Sequence, residues 1–205
     1  MKSLTDFFRH NKNRTWALVG KGPSFSRRHE LRLAELPALG LNHVCLHHEC
    51  RLYHFTDLDA YLQCSLELAG RDGAVVLPWH PHVRNKPGKR SLEELLEDCP
   101  TLDNLCMQGR LYSYNSTLAK KRKVGLSTHH TRYFSAVVGL DILAVHSGAG
   151  TVVTLGIDGG SSYSPEFSTE TLLANGRDSF DAQFAEMKKI SERYEVEVKP
   201  LWEYR

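Results

Sequence analysis

Short apolar runs alternate with charged, periodic segments along the chain. Thr15–Val19 reads as a brief buried strand ending at Gly20. Residues 26–36, with Leu31, Leu33 and Leu36 among charges, read as an amphipathic helix or turn. A second strand follows and ends near Asn42, and residues 50–57 give a third. Residues 58–70 form a helix closed by Gly70, the residue type favoured at a left-handed cap. Residues 73–82 give a fourth strand, whose prolines mark its stop. Ser91 with Glu94 three residues on predicts a capping box over 91–99. Residues 110–116 suit a strand, and 127–148 read as one helix with a broad apolar face, stopped by Gly148. Residues 151–158 are a strong buried strand. A helix over 178–194 carries Phe180, Phe184, Met187 and Ile190 on one face. Residues 196–202 make the last strand.

Several of these strands are apolar without alternation, as strands covered on both faces are. With helices between them, they predict an α/β, Rossmann-like single domain over 1–205. Its sheet is mostly parallel, with helices on both faces. A mobile lid is expected within 83–125 or 159–177. Ligands of such sheets bind beyond the carboxyl ends of the strands. The residues expected there are Gly20–Ser24, Asn42, Asp57, Asp59, His80, His82 and 158–163.

Composition narrows the partners. Hydrophobic residues make up 41% and charged residues 24%, the balance of a globular protein. No apolar run reaches the ~18 residues a membrane span needs, and residues 1–14 lack the core of a secretion signal. A net charge of +2 gives no nucleic-acid footprint, although Lys120–Lys123 form one short basic run. Five cysteines without a CxxC pair argue for free thiols and a reducing cytoplasm. That places the chain in the cytoplasm, free or peripheral to the inner membrane face. Eleven histidines, among them His43, His47, His48, His80 and His82, show no recognised metal-ligand spacing.

Four stretches carry candidate chemistry. In Gly20-Lys21-Gly22-Pro23-Ser24, two glycines allow close backbone approach, and free N–H groups at such a turn attract phosphate. The bland alternative is a tight connection. Asp57 and Asp59 suit Mg²⁺ or Mn²⁺ through oxygen ligands, or else cap and charge the start of the next helix. Near Ser127 and Thr128, His129 or His130 is a candidate general base and Arg132 a candidate anion ligand. The alternative there is a capped helix start with surface histidines. Gly156-Ile157-Asp158 runs into a glycine-rich loop where Ser161, Ser162 and Tyr163 supply hydroxyls.

Taken in order, "VGKGPSF", the strand ending in "LN" and "TLGIDGGSSYS" resemble the bacterial sialyltransferases of glycosyltransferase family 42. The closing helix and strand are similar as well, and the similarity is thin between about 60 and 125. The resemblance implies one domain with a lid that binds a CMP-activated sugar, such as sialic acid or Kdo, with no metal required. It assigns Gly20, Lys21, Gly22, Pro23, Ser24 and Asn42 to the nucleotide. It assigns Ser135, Gly156, Asp158, Ser161, Ser162 and Tyr163 to the cytidine and sugar pocket. That family places its catalytic histidine just before the final helix. Here the region reads "LLANGRDSFD", without histidine, so the role of base passes to His129 or His130. The implied partners are a CMP-sugar donor and a glycan acceptor, and a homo-oligomer is left open. The glycine-proline-serine turn with a later G-x-D also resembles the 6-hydroxymethylpterin diphosphokinases. Those use ATP with Mg²⁺, which would engage Asp57 and Asp59. A third alternative is a non-catalytic nucleotide- or glycan-binding protein.

Overall fold

A computed structural model describes residues 2–131, 134–167 and 178–204. The chain opens with strand β1 (Lys2–Ser3) and helix α1 (Leu4–Arg9), started by a Ser3–Asp6 capping box. Strand β2 (Thr15–Val19) leads through two short 3₁₀ turns to β3 (Ala38–Leu41). Strand β4 (Leu52–His54), helix α2 (Leu58–Ala69) and strand β5 (Ala74–Pro78) follow. A small antiparallel hairpin of β6 (His82–Val83) and β7 (Lys86–Pro87) comes next. Helices α3 (Leu92–Leu96) and α4 (Pro100–Met107) precede strands β8 (Leu111–Ser116) and β9 (Thr128–His129). Helix α5 (Ser135–His146), strand β10 (Thr151–Leu155), helix α6 (Ala182–Tyr194) and strand β11 (Glu197–Pro200) complete the fold.

The central sheet runs β1-β8-β5-β4-β3-β2-β10-β11, with β9 on β8, and every pairing in it is parallel. The alternation of side chains along β2 explains the two covers. Ala17 and Val19 face a core with Tyr61 and Leu68 of α2, Leu92 of α3 and Leu102 of α4. Trp16 and Leu18 face the opposite core with Phe7 and Phe8 of α1, Leu140 of α5 and Met187 of α6. Both faces of the strands are therefore apolar, which is why the sequence shows runs rather than alternation. No helix among the described residues is long and apolar enough to cross a membrane.

The Rossmann-like α/β expectation holds, and so does the capping box at Ser91, which accepts from the Glu94 N–H. Two local expectations, the left-handed cap at Gly70 and the helix over 127–148, need correction. Gly70 has φ −89°, so α2 ends right-handed. Of the helix or turn expected over 26–36 the structure has turns: two 3₁₀ turns are separated at Arg32, whose φ of 55° breaks any helical run. The helix expected over 127–148 begins only at Ser135. Thr128 and His129 are instead drawn into parallel pairing with Asn115 and Ser116, and the Asn115 amide grips the carbonyls of Lys123 and Leu126. Residues 83–87, at the start of one range expected to hold a lid, belong to the β6–β7 hairpin. The other expected lid range, 159–177, lies largely outside the described residues.

Candidate functional site

The chain builds the sheet outward from β2 through β3, β4, β5 and β8, then returns to lay β10 on the other side of β2. This reversal opens a crevice at the carboxyl ends of β2 and β10, where open α/β sheets take ligands. A cleft of about 500 Å³ lies there.

The wall formed by the two strand ends is locked together. Gly20 N–H donates to the Leu155 carbonyl at 2.8 Å, and Gly22 N–H to the Gly156 carbonyl at 2.7 Å. Ser24 donates from its N–H to Asp158 Oδ2 at 2.7 Å and from its hydroxyl to Asp158 Oδ1 at 2.5 Å. The same hydroxyl accepts from Gly156 N–H at 2.8 Å. A Cβ on Gly20 would stand 2.4 Å from the Gly156 carbonyl oxygen, and Gly156 itself has φ +68°. The glycines are thus needed so that two strand ends can touch. This corrects the sequence expectation for the turn: its Gly20, Gly22 and Ser24 N–H groups are spent on β10 and Asp158 rather than offered to phosphate. Gly20, Lys21, Gly22, Gly156 and Asp158 line the cleft, whereas Pro23 and Ser24 stand behind it.

Donors for an anion come from elsewhere. The N-terminus of α5 enters the cleft through Phe134, Ser135 and Ala136, and the N-cap residue Phe134 supplies no side-chain cap bond. Its first-turn N–H groups and helix dipole favour negative charge. Asn42, at φ 50°, donates from Nδ2 to Ser135 Oγ at 3.1 Å and so fixes the hydroxyl at that helix start. Lys21 lines the same floor, with Nζ 4.3 Å from the Tyr163 ring centroid. Tyr163 stacks on Phe180 at 5.6 Å, and Phe134 meets Phe180 edge-on at 6.4 Å. These rings, with Gln183, form an aromatic end to the cleft.

The facing wall is the β6–β7 hairpin. Arg84, Asn85 and Lys86 line the cleft, and Arg84 and Asn85 both sit left-handed (φ 50° and 63°). Two carboxylates hold the hairpin down. Asp57 Oδ1 accepts Asn85 N–H at 2.9 Å, and Asp59 Oδ2 accepts Arg84 N–H at 3.1 Å. Of the two, Asp57 alone lines the cleft. Burial raises the Asp57 carboxyl above its usual range against the opposing Asn85 N–H, with Asp59 adding repulsion. The pair latches the hairpin backbone to the start of α2. Among the described residues no group of three or more His, Cys, Asp or Glu is placed to hold a metal ion. His82 also lines the cleft, 3.3 Å from Thr131 Oγ1, and burial pushes it down to about 4, so it is neutral near pH 7.

The proposed bases lie elsewhere. His129 is buried, with Nδ1 2.6 Å from Asp141 Oδ2 and Nε2 3.1 Å from both Ser127 Oγ and His146 Nε2. His130 is exposed, 2.7 Å from Thr117 Oγ1. Neither lines the cleft, which corrects their assignment as base. Of the loop hydroxyls, Ser162 and Tyr163 line it and Ser161 does not. His80 is buried outside it, and Arg132 lies outside the described residues.

The sequence missed Arg84, Lys86 and Gln183. The trace that could have revealed the hairpin is "HVRNKP", an Asn in a short polar link whose turn needs positive φ. No family model, curated protein or solved structure matches the chain.

Proposed function

We propose that this protein transfers a sugar from a nucleotide donor, of the CMP-activated kind, to a hydroxyl of a glycan. One observation carries the proposal. The N-terminus of helix α5 and three cationic side chains (Lys21, Arg84, Lys86) converge on a switch-point cleft that also holds a half-buried carboxylate, Asp57. The cations and the α5 N–H groups would receive the phosphate and the charge that develops on it as the glycosidic bond breaks. The Phe134–Phe180–Tyr163 end offers flat apolar faces for the pyrimidine. Asp57 takes the role of base. Its raised proton affinity suits it to accept the proton of the attacking hydroxyl while the oxygen bonds to the anomeric carbon. Sialic acid and Kdo are the donor sugars to try first.

A metal-dependent diphosphokinase is the competing proposal, and the engagement of Asp57 and Asp59 by hairpin N–H groups weighs against it. A non-catalytic binding protein would use the same cleft without Asp57. Transfer and hydrolysis of CMP-sialic acid and CMP-Kdo should be measured for wild type and Asp57→Asn. Loss of ~10²-fold or more in turnover with donor affinity retained supports Asp57 as base. Equal rates in both would remove it from the chemistry.

A further inference from the structure

A second cavity of about 650 Å³ lies at the amino ends of β3, β4 and β5, the opposite end of the strands from the cleft, beside the β2–β3 connection. Four arginines and three histidines line it, against Glu49 and Asp72. Two of these arginines, Arg28 and Arg71, are mostly buried, with side chains 13% and 19% exposed. Arg28 Nη1 donates to Glu166 Oε1 at 2.5 Å, and Arg71 reaches Glu67 at 2.6 Å and Glu49 at 3.3 Å. Each guanidinium nonetheless keeps a buried Nε–H with no acceptor among the described residues. A buried donor of a charged group left unmatched is costly and is rare without an unseen partner. Finding two at one cavity, on separate segments of chain, asks for a shared acceptor. The acids do not supply it: Glu49 and Glu67 are 75% and 44% exposed, where solvent screens most of their attraction. Burial lowers the proton affinity of His48 at this cavity, and the charges of Arg28, His29 and Arg71 lower it further, more than Glu49 restores it.

We propose that this cavity binds a phosphorylated small molecule, its phosphate oxygens taken between Arg28 and Arg71. Planar guanidinium groups suit phosphate, which accepts several N–H bonds at once. The cavity is larger than inorganic phosphate requires, and Leu33, Leu36 and Tyr53 line the remainder, so a phosphate ester with an uncharged body fits it better. The site also touches the cleft through one connection. Glu166, paired with Arg28, bonds to Ser164, whose N–H donates to the Lys21 carbonyl at 2.7 Å. The inference is independent of what the cleft does.

The test uses the full chain carrying Arg84→Gln and Lys86→Gln, which removes the cationic wall of the cleft. Inorganic pyrophosphate, a hexose 6-phosphate and the unphosphorylated hexose are titrated by calorimetry while the His48 imidazole resonance is followed by NMR. The expected result is one equivalent of either phosphate and none of the free hexose. Bound phosphate should move the His48 titration midpoint upward, and Arg71→Gln should weaken binding at least tenfold. Arg28→Lys keeps the charge beside Glu166 but removes the Nε–H. It should weaken binding as well, and it carries the test alone if Arg71→Gln does not fold. Tighter binding of the hexose phosphate than of pyrophosphate would confirm the ester, and the reverse order would overturn that part. An unmoved His48, or binding indifferent to both arginine variants, overturns the site.

Discussion

Removing the Ser24 hydroxyl should loosen the switch point more than an ordinary surface change does. In Ser24→Ala the 2.5 Å bond to Asp158 Oδ1 disappears, and the buried Gly156 N–H loses its acceptor at 2.8 Å. A hydrogen bond to a charged group is worth roughly 1.5–3 kcal/mol, and an orphaned buried N–H costs about 1–3 kcal/mol. Asp158 is exposed, so the first term belongs at its low end, and the total is about 2.5–4.5 kcal/mol. For a chain of this size each kcal/mol moves Tm by roughly 2–4 °C, which gives a drop of about 5–18 °C. Urea unfolding of wild type, Ser24→Ala, Asp158→Ala and the double variant measures the coupling directly. The expected coupling is about 1–2 kcal/mol, because each single change already breaks the shared bond. A Ser24→Ala protein within about 1 °C of wild type, or a coupling below about 0.3 kcal/mol, would refute the lock.

Further outcomes follow from the same geometry. Gly20→Ala, which drives a Cβ to 2.4 Å from the Gly156 carbonyl, should cost at least as much as Ser24→Ala in the same urea assay. Stability should fall between pH 7 and pH 5. Burial holds His82 and His146 down to about 4 and His54 to about 3, below the ordinary value near 6.5. The unfolded chain therefore binds protons first as pH falls through that window, and the stability these groups give above pH 6.5 is lost toward pH 4. The loss by pH 5 is roughly 1–2 kcal/mol for each, and a flat stability profile from pH 7 to 5 would contradict it. Arg84→Gln with Lys86→Gln should weaken nucleotide binding about tenfold or more, with a shallower salt dependence in calorimetry. His130→Ala should keep wild-type turnover, since that ring sits at Thr117 outside the cleft.

The apolar runs made the fold legible. Strands buried on both faces between amphipathic helices leave little choice but a covered parallel sheet. The local failures are places where distant contacts outweigh propensity. Residues 128–129 look helical beside α5, yet the edge of β8 offers them pairing, and no periodicity records that. The site was half legible. Gly20, Gly22, Asn42, Ser135, Asp158 and Tyr163 do gather at one cleft, or directly behind it in the case of Ser24. What the sequence hid was the reason for the motif: the glycines and Ser24 serve contact between β2 and β10, and the anion donors come from α5 and the hairpin. His129 misled because imidazole chemistry shows in the letters, while its burial against Asp141 does not.

The cations and helix terminus of the switch-point cleft are the proposed holders of a CMP-type nucleotide. Calorimetric titration of CMP into the wild-type chain, with and without Mg²⁺, tests that role most directly, with the Arg84→Gln/Lys86→Gln protein alongside. One equivalent of CMP should bind equally with and without the metal, and binding should be at least tenfold weaker in the double variant. Absence of binding by CMP, or binding of ATP alone and only with Mg²⁺, would contradict the proposal.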